Sequence, residues 1–386
     1  MSKPVTTDAM KGHVGSMEPM DAQCFTVLLM SSGGTSSRID GLDALRGLAI
    51  ALVLLRHSWP QIAGTGGVVG VVIFFTLSGY LITSLLDRDL RHFGRVRYGR
   101  FYRNRALRLI PALLLLLVGI TAVTLVWNPL DDRSGLVRAL VVGITYTANL
   151  PFDHGSPTVE HLWTLATEEQ FYIVWPLVLA LAVRFRRERT ALITSTIVIV
   201  AALVCTIALT YPGVTGIYSL PTSWCVAMLV GAAAFYARVN LDCALPLGAP
   251  KTIWIASTAL TLVLVVSFLP EMKASPLLYL VVGPLVSLAS VPLIVVAASW
   301  KSLPSAWLTP LKWLGKISYA AYLWNWPIVL WLGPQPLAPA PAVAGVALTL
   351  LAATASWWLV ERPAQSLRRI WERPNARPVE QERATS

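Results

Sequence analysis

Apolar windows about twenty residues long recur along almost the whole chain, separated by short polar or charged segments. A transmembrane helix needs roughly 20 mostly apolar residues to cross the hydrocarbon core of a bilayer. Windows of this kind lie at about 42–60, 68–86, 106–127, 166–183, 190–210, 218–237, 252–269, 277–298, 314–333 and 340–360. The pattern therefore predicts an all-α, polytopic membrane protein, a bundle of about ten transmembrane helices.

One further apolar stretch, at 138–150, is shorter and contains several polar side chains. We expect it to form an interfacial or re-entrant helix rather than an eleventh crossing. The segments at either end of the chain are polar and irregular. The sequence thus predicts a disordered cytoplasmic leader (1–37), a ten-helix membrane domain (38–363) and a basic cytoplasmic tail (364–386).

Composition agrees with a bilayer environment, since 55% of residues are hydrophobic, 13% are charged and the mean hydropathy is +0.62. Positive charge is concentrated in alternate connecting segments, at 87–108, at 184–189 and from Arg362 onward. The positive-inside rule makes these segments cytoplasmic, which predicts a multi-pass protein of the cell membrane with both termini in the cytoplasm. Topology and attraction to anionic lipid then explain the net charge of +11, so no nucleic-acid partner is expected. The four cysteines have no paired spacing, so no metal site is expected either.

The first apolar window contains Arg46 and His57, ionisable residues that lie eleven positions apart. At 100° per residue the two side chains project from the same side of a helix, about 16 Å apart along its axis. An ionisable residue inside a membrane span usually faces the bundle interior and marks a substrate path or a reaction site. The structural alternative is a histidine near the outer interface that bonds to a neighbouring helix.

A second cationic pair, Arg105 and Arg108, opens the third window at positions i and i+3 of one helix face. Two guanidiniums on one face can grip phosphate oxygens in bidentate fashion. The alternative is that they only mark the cytoplasmic boundary. On the other side of the membrane, Glu168 lies several residues inside an apolar stretch at 161–176. A carboxylate there needs a partner, so it is a candidate for pairing with a cation or orienting a hydroxyl substrate.

Six motifs in order carry a resemblance to a known family: LDALRGLAI with a following RH, GVVIFFTLSGYLIT (70–83), FYRNRALRLIP (101–111), HLWTLATEEQFYIVWP (161–176), GKISYAAYLWNWP (315–327) and VERP (360–363). Together they resemble the acyltransferase-3 family of integral-membrane O-acyltransferases, over about residues 38–363. One departure is Asn325, which stands where such proteins commonly have a histidine. This change removes a cationic or proton-carrying side chain from that position.

The resemblance implies an enzyme that takes an acyl group, most often acetyl, from acyl-CoA and places it on a hydroxyl. Implied acceptors are a carbohydrate, a glycolipid or a glycosylated natural product such as a macrolide, with no permanently bound cofactor. The family's arginine and histidine of the first span match Arg46 and His57. Its paired arginines match Arg105 and Arg108, and its glutamate matches Glu168.

Residue chemistry and resemblance together predict a mechanism. Three arginines, at positions 46, 105 and 108, hold the phosphates of CoA while its pantetheine arm reaches into the bundle. Neutral His57 acts as general base on the acceptor hydroxyl, and Glu168, if close, steadies the imidazolium. A transient acyl-histidine is the alternative route. A polytopic transporter of a small or lipid-linked substrate is the competing interpretation of the whole chain.

Overall fold

A computed structural model describes residues 39–244 and 250–372, which are helical with no strand among them. The thirteen α-helices of this described part are α1 Asp40–Ser58, α2 Gly66–Phe93, α3 Tyr98–Val126, α4 Leu136–Thr145, α5 Trp163–Arg184, α6 Glu188–Thr210, α7 Pro221–Ala244, α8 Pro250–Ser267, α9 Gly283–Ser299, α10 Thr309–Lys316, α11 Ser318–Trp331, α12 Pro339–Ser356 and α13 Arg362–Glu372. Single wider π turns precede α9 at Leu278–Val282 and follow α12 at Trp357–Glu361. The predicted all-α class is confirmed.

Seven helical segments are long and apolar enough to cross a bilayer: Gly66–Phe93, Tyr98–Val126, Pro157–Arg184, Glu188–Thr210, Pro250–Ser267, Leu278–Ser299 and Pro339–Leu367. The chain is therefore a multi-pass membrane protein. Helices also occupy the other three predicted windows, as α1, α7 and the α10–α11 pair. They do not meet the same length and hydropathy criteria, so a count of ten crossings stays a prediction.

Helix α4 occupies the stretch expected to lie at the interface or to re-enter the membrane. It has ten residues, which corresponds to about 15 Å and is too short to cross the hydrocarbon core. The predicted leader, 1–37, lies outside the described residues. Of the predicted tail, 364–372 continue as α13, and the remainder lies outside the described part.

Helix α2 lies at the centre of the bundle, with 72% of its most apolar window buried, and packs on α1, α5, α7, α8 and α9. Two glycines allow its close approach to α7. A Cβ added at Gly79 would lie 2.6 Å from the carbonyl carbon of Met228, and one added at Gly231 would lie 2.9 Å from that of Thr76. Small residues at such positions let helix backbones touch, which is a common packing mode inside membranes. By contrast, only 6% of the α6 window is buried, so this helix lies at the periphery.

Two prolines inside helices release backbone carbonyls that other helices use. Proline removes the hydrogen bond to the carbonyl four residues earlier. Pro176 of α5 leaves the carbonyl of Tyr172, which accepts a hydrogen bond from Tyr102 Oη at 3.0 Å. Pro327 of α11 leaves the carbonyl of Leu323, which accepts one from a ring nitrogen of His161 at 3.0 Å. Each helix interruption thus becomes a polar link between helices.

Candidate active site

A cavity of about 280 Å³ lies between α1, α2, α3, α5 and α11. Cationic side chains line much of the cavity. Arg88, Arg97 and Arg100 lie at one end, where the end of α2 meets the start of α3, and Arg46 and Arg108 line the wall further in. Some of this charge is neutralised, since Arg46 pairs with Asp43 at 2.9 Å and Arg97 pairs with Asp89 at 2.8 Å. The cavity mouth is nevertheless strongly positive, which suits an anionic ligand.

The cavity follows α2 inward from this mouth. Arg88 and Val71, both on α2, line its two ends and are about 25 Å apart along the helix axis. Val71 shares the inner end with Thr164 and Tyr322, and the Thr164 hydroxyl donates to Tyr322 Oη at 2.7 Å. Tyr322 Oη in turn donates to the carbonyl of His161 at 2.6 Å. A hydrogen-bonded pair from α5 and α11 therefore lines the inner end.

A cluster of charge lies on the cavity wall, halfway along α2. Arg105 Nε lies 2.7 Å from Glu169 Oε1, and a terminal nitrogen of Arg105 lies 3.7 Å from Glu168 Oε2. The same guanidinium covers the Tyr172 ring at 3.6 Å from its centroid. Ser78 donates to Glu168 Oε1 at 2.6 Å and is also hydrogen-bonded to Tyr172 Oη. Two carboxylates therefore already balance the charge of Arg105, which modifies its predicted role as a phosphate ligand.

His57 lies near the end of α1 and is held by α11. Its Nδ1 lies 2.6 Å from Oδ1 of Asn325, and its ring packs against Trp326 with centroids 4.8 Å apart. Asn325 is fully buried, and its amide nitrogen donates to Thr349 Oγ1 of α12 at 3.3 Å. Trp326 is fixed by a hydrogen bond from its Nε1 to the carbonyl of Pro157 at 2.9 Å. Asn325 and Trp326, each fixed by a further hydrogen bond, therefore define where the imidazole lies.

The cavity ends about one helical turn short of the level of His57. A Cβ added at Gly67 would lie 3.0 Å from Cγ of Arg56, so this glycine marks the depth of Arg56 and of the adjacent histidine. Val71, at the inner end of the cavity, is about 6 Å from Gly67 along α2. Helix α11 spans the distance from the cavity to His57. Its Tyr322 lines the cavity, and its Asn325, less than one turn further on, is hydrogen-bonded to the histidine.

Glu168 is not placed to steady an imidazolium at His57. Its hydrogen-bond partner Ser78 is eleven residues from Gly67 on α2, which corresponds to about 16 Å below the level of the histidine. The predicted pairing of Glu168 with a cation is found, but the cation is Arg105. Asn325 takes the place next to His57 that was expected for the glutamate.

On the other side of His57, Arg56 organises the loop that follows α1. Its Nε donates to the carbonyl of Gly64 at 2.8 Å, and a terminal nitrogen pairs with Glu271 at 2.8 Å. Glu271 also pairs with Lys273 at 3.3 Å. Burial by itself would raise the pKa of Glu271, but the Lys273 ammonium and the Arg56 guanidinium hold it below its usual range. Arg56 therefore links the end of α1 to the connection that follows it and to the connection between α8 and α9.

Sequence reasoning placed Arg46, Arg105 and Arg108 at the cytoplasmic side and Glu168 on the opposite side of the membrane, whereas all four line one cavity. It missed Arg88, Arg97 and Arg100, although all three lie in the basic segment 87–108 that was assigned to topology. It also treated Asn325 only as a departure from a pattern. Its signal was present in the sequence, since an asparagine between two tryptophans and before a proline is an unusual polar residue in an apolar helix.

Comparison with known proteins adds a family match. Residues 39–361 match the family model described as an acyltransferase domain. A peptidoglycan O-acetyltransferase of Listeria monocytogenes is 30% identical over 84% of this chain and 55% of its own length. An O-acetyltransferase of Staphylococcus aureus is 28% identical over 84% of this chain and 57% of its own length. The chain spans just over half the length of these curated relatives, and no solved structure gives a significant match. The matches favour acyl transfer over transport.

Proposed function

Because the chain belongs to the acyltransferase-3 family, we propose that it transfers an acyl group, most often acetyl, from acyl-CoA to a hydroxyl group. The acceptor is a carbohydrate, a glycolipid or a glycosylated natural product such as a macrolide. Support for a sugar acceptor comes from the relatives, one of which is named for peptidoglycan. The arginine-lined mouth of the cavity faces the cytoplasm, as do both termini, in agreement with the positive-inside rule.

One observation carries the donor side of this proposal: the cavity has a cationic mouth and continues about 25 Å into the bundle toward the histidine. Acyl-CoA has a matching shape and charge, with phosphates at one end and a thioester on a long uncharged arm. The phosphates bind among Arg46, Arg100 and Arg108, all of which line the cavity, since a guanidinium can contact phosphate oxygens in bidentate fashion. Arg105 pairs with Glu168 and Glu169 in the cavity wall and does not bind phosphate.

His57 is the general base of the transfer. Its Nε2 takes the proton of the acceptor hydroxyl as that oxygen attacks the thioester carbonyl carbon. The tetrahedral intermediate collapses, the carbon–sulfur bond breaks, and the imidazolium returns the proton to the departing CoA thiolate. The products are an ester and free CoA, with no net change at the histidine. Opening the Thr164–Tyr322 pair would let the acyl end pass the last helical turn between cavity and histidine.

The test uses the full chain in lipid nanodiscs with radiolabelled acetyl-CoA and a panel of acceptors, namely muropeptides and a macrolide. Wild type should form a labelled ester on one of them. His57→Gln should lose transfer by about 10²-fold or more, which is the usual contribution of a general base, while still binding acetyl-CoA. The matched control is His92→Gln, at an exposed histidine of α2 outside the site.

The donor side is tested in the same assay. Arg100→Gln and Arg108→Gln should each raise the KM for acetyl-CoA and reduce its dependence on salt, because both line the cavity. Arg103→Gln is the matched control, since this arginine is on the same helix but outside the cavity wall. Full transfer by His57→Gln would contradict the proposed function, and so would equal KM values for wild type and the three arginine variants.

A further inference from the structure

A chain of three hydrogen bonds runs from the backbone of α12 to the imidazole of His57. The Thr349 hydroxyl donates to the carbonyl of Gly345 at 2.7 Å. Thr349 Oγ1 accepts from the Asn325 amide nitrogen at 3.3 Å, and Asn325 Oδ1 lies 2.6 Å from Nδ1 of His57. Asn325 and Thr349 both have zero exposure, so water does not compete for these bonds.

The chain has a direction, because each group has a limited set of donors and acceptors. A hydroxyl carries one proton, and Thr349 donates its proton to the carbonyl of Gly345. The Thr349 oxygen can therefore only accept a hydrogen bond from Asn325. The side of the amide that faces Thr349 is therefore the NH₂ group. The amide oxygen then faces His57, and an oxygen accepts only from a protonated nitrogen.

We propose that Asn325 and Thr349 are positioning residues that hold His57 in the tautomer with Nδ1 protonated and Nε2 bare. This inference rests on the function proposed above, in which Nε2 removes the proton of the acceptor hydroxyl. With the amide inverted, the NH₂ group would face Nδ1 and the ring proton would move to Nε2, which could then not act as a base. The direction of the Thr349 hydrogen bond thus determines, through Asn325, which ring nitrogen of His57 is free to act as the base.

The packing around His57 does not select its tautomer, so the selection depends on the side-chain amide of Asn325. The Trp326 ring limits the tilt of the imidazole, but an aromatic face does not distinguish its two nitrogens. The other titratable groups that influence His57 are Arg56, Lys273 and His161, and no hydrogen bond joins any of them to its ring among the described residues. Asn325 is therefore the side chain that sets which nitrogen carries the proton.

The experiment is a double-mutant cycle in the acetyl-CoA transfer assay. Thr349→Val keeps the side-chain shape but removes the oxygen that orients the amide, so kcat should fall about two- to tenfold, the effect of one neutral hydrogen bond, while the KM for acetyl-CoA is unchanged. Thr349→Ser should restore kcat. The matched control is Thr354→Val, because Thr354 makes the same bond to the carbonyl four residues earlier on α12 at 2.7 Å but does not contact Asn325.

Asn325→Asp supplies the second arm of the cycle. A carboxylate accepts from Nδ1 with either oxygen and needs no orientation, so Thr349→Val should have no further effect on kcat in this background. Asn325→Leu should lower kcat by about 10²-fold or more, since the base is then unpositioned. An equal loss from Thr349→Val in both backgrounds would show that the threonine only supports packing, and would overturn the inference.

A measurement that does not use activity separates this inference from the proposed function. Nitrogen-15 NMR of histidine-labelled protein, with the His57 signals identified by their loss in His57→Gln, reports which ring nitrogen lacks a proton. Wild type should show a bare Nε2, and Thr349→Val should show a mixture of tautomers. A bare Nδ1 in wild type would overturn the inference even if transfer is observed. The correct tautomer without transfer to any acceptor would instead contradict the proposed function.

Discussion

Gly315→Ala tests whether α1, the helix with both Arg46 and His57, is held by backbone contact with α10. A Cβ added at Gly315 would lie 2.6 Å from the carbonyl carbon of Asp43, and closer still to its oxygen. The contact is reciprocal, because a Cβ at Gly47 would lie 2.7 Å from the carbonyl carbon of Leu311. The obstructing atoms are backbone, so no side-chain rotation can relieve the overlap.

The cost follows from the displacement needed. Carbon atoms pack best at about 3.5–4.0 Å, so the two helices would have to part by roughly 1 Å along this contact. Overpacking of this kind costs typically 1–3 kcal/mol, and a clash with backbone belongs at the upper end, about 3 kcal/mol. At roughly 2 °C per kcal/mol for a large chain, Tm should fall by about 6 °C.

The assay is thermal unfolding in detergent micelles, followed by tryptophan fluorescence. Gly99→Ala is the matched control, since Gly99 is also a helical glycine but an added Cβ meets nothing within 4 Å. Alanine favours a helix over glycine by up to about 1 kcal/mol, so this variant should unfold at the wild-type temperature or slightly above it. Equal Tm values for the two variants would refute the close approach of α1 and α10.

Two further predictions concern ion pairs. Arg105→Gln leaves two carboxylates on the cavity wall without their cation and should destabilise the fold by about 2 kcal/mol in the same unfolding assay; Arg105→Gln/Glu169→Gln should recover part of this loss, and no recovery would contradict the pairing. The pKa of Glu271 is lower in the folded chain than its ordinary value, because the effect of Lys273 and Arg56 outweighs that of burial. The ionised carboxylate therefore stabilises the fold at neutral pH, and this stabilisation is lost as pH falls below the ordinary pKa. Half-exposed pairs contribute little, so the stability difference between wild type and Glu271→Gln should be at most about 1 kcal/mol at pH 7 and should shrink toward pH 3; a difference that grows in acid would contradict this assignment.

The helical elements and their apolar environment can be predicted from the amino-acid sequence alone. Window length and composition predict membrane-spanning helices, and the structure has a helix in each predicted window, because these signals depend on contacts within one helix and on the thickness of the bilayer. The shared face of Arg46 and His57 follows from the 100° step of the helix alone. Prolines 176 and 327 also indicate where carbonyls are released, although not which donors meet them.

Which side chains meet depends on how the helices pack against one another. Asn325 and His57 are 268 positions apart, and nothing local to either residue specifies the other. The same holds for Arg105. Its position on the helix predicts a phosphate ligand, but in the structure its guanidinium pairs with two glutamates of α5. Partner choice depends on the rotation and depth of each helix against its neighbours, which arise from close backbone packing at residues such as Gly47 and Gly315. Periodicity fixes the direction of a side chain on its own helix, whereas the packing of the whole bundle determines what it faces.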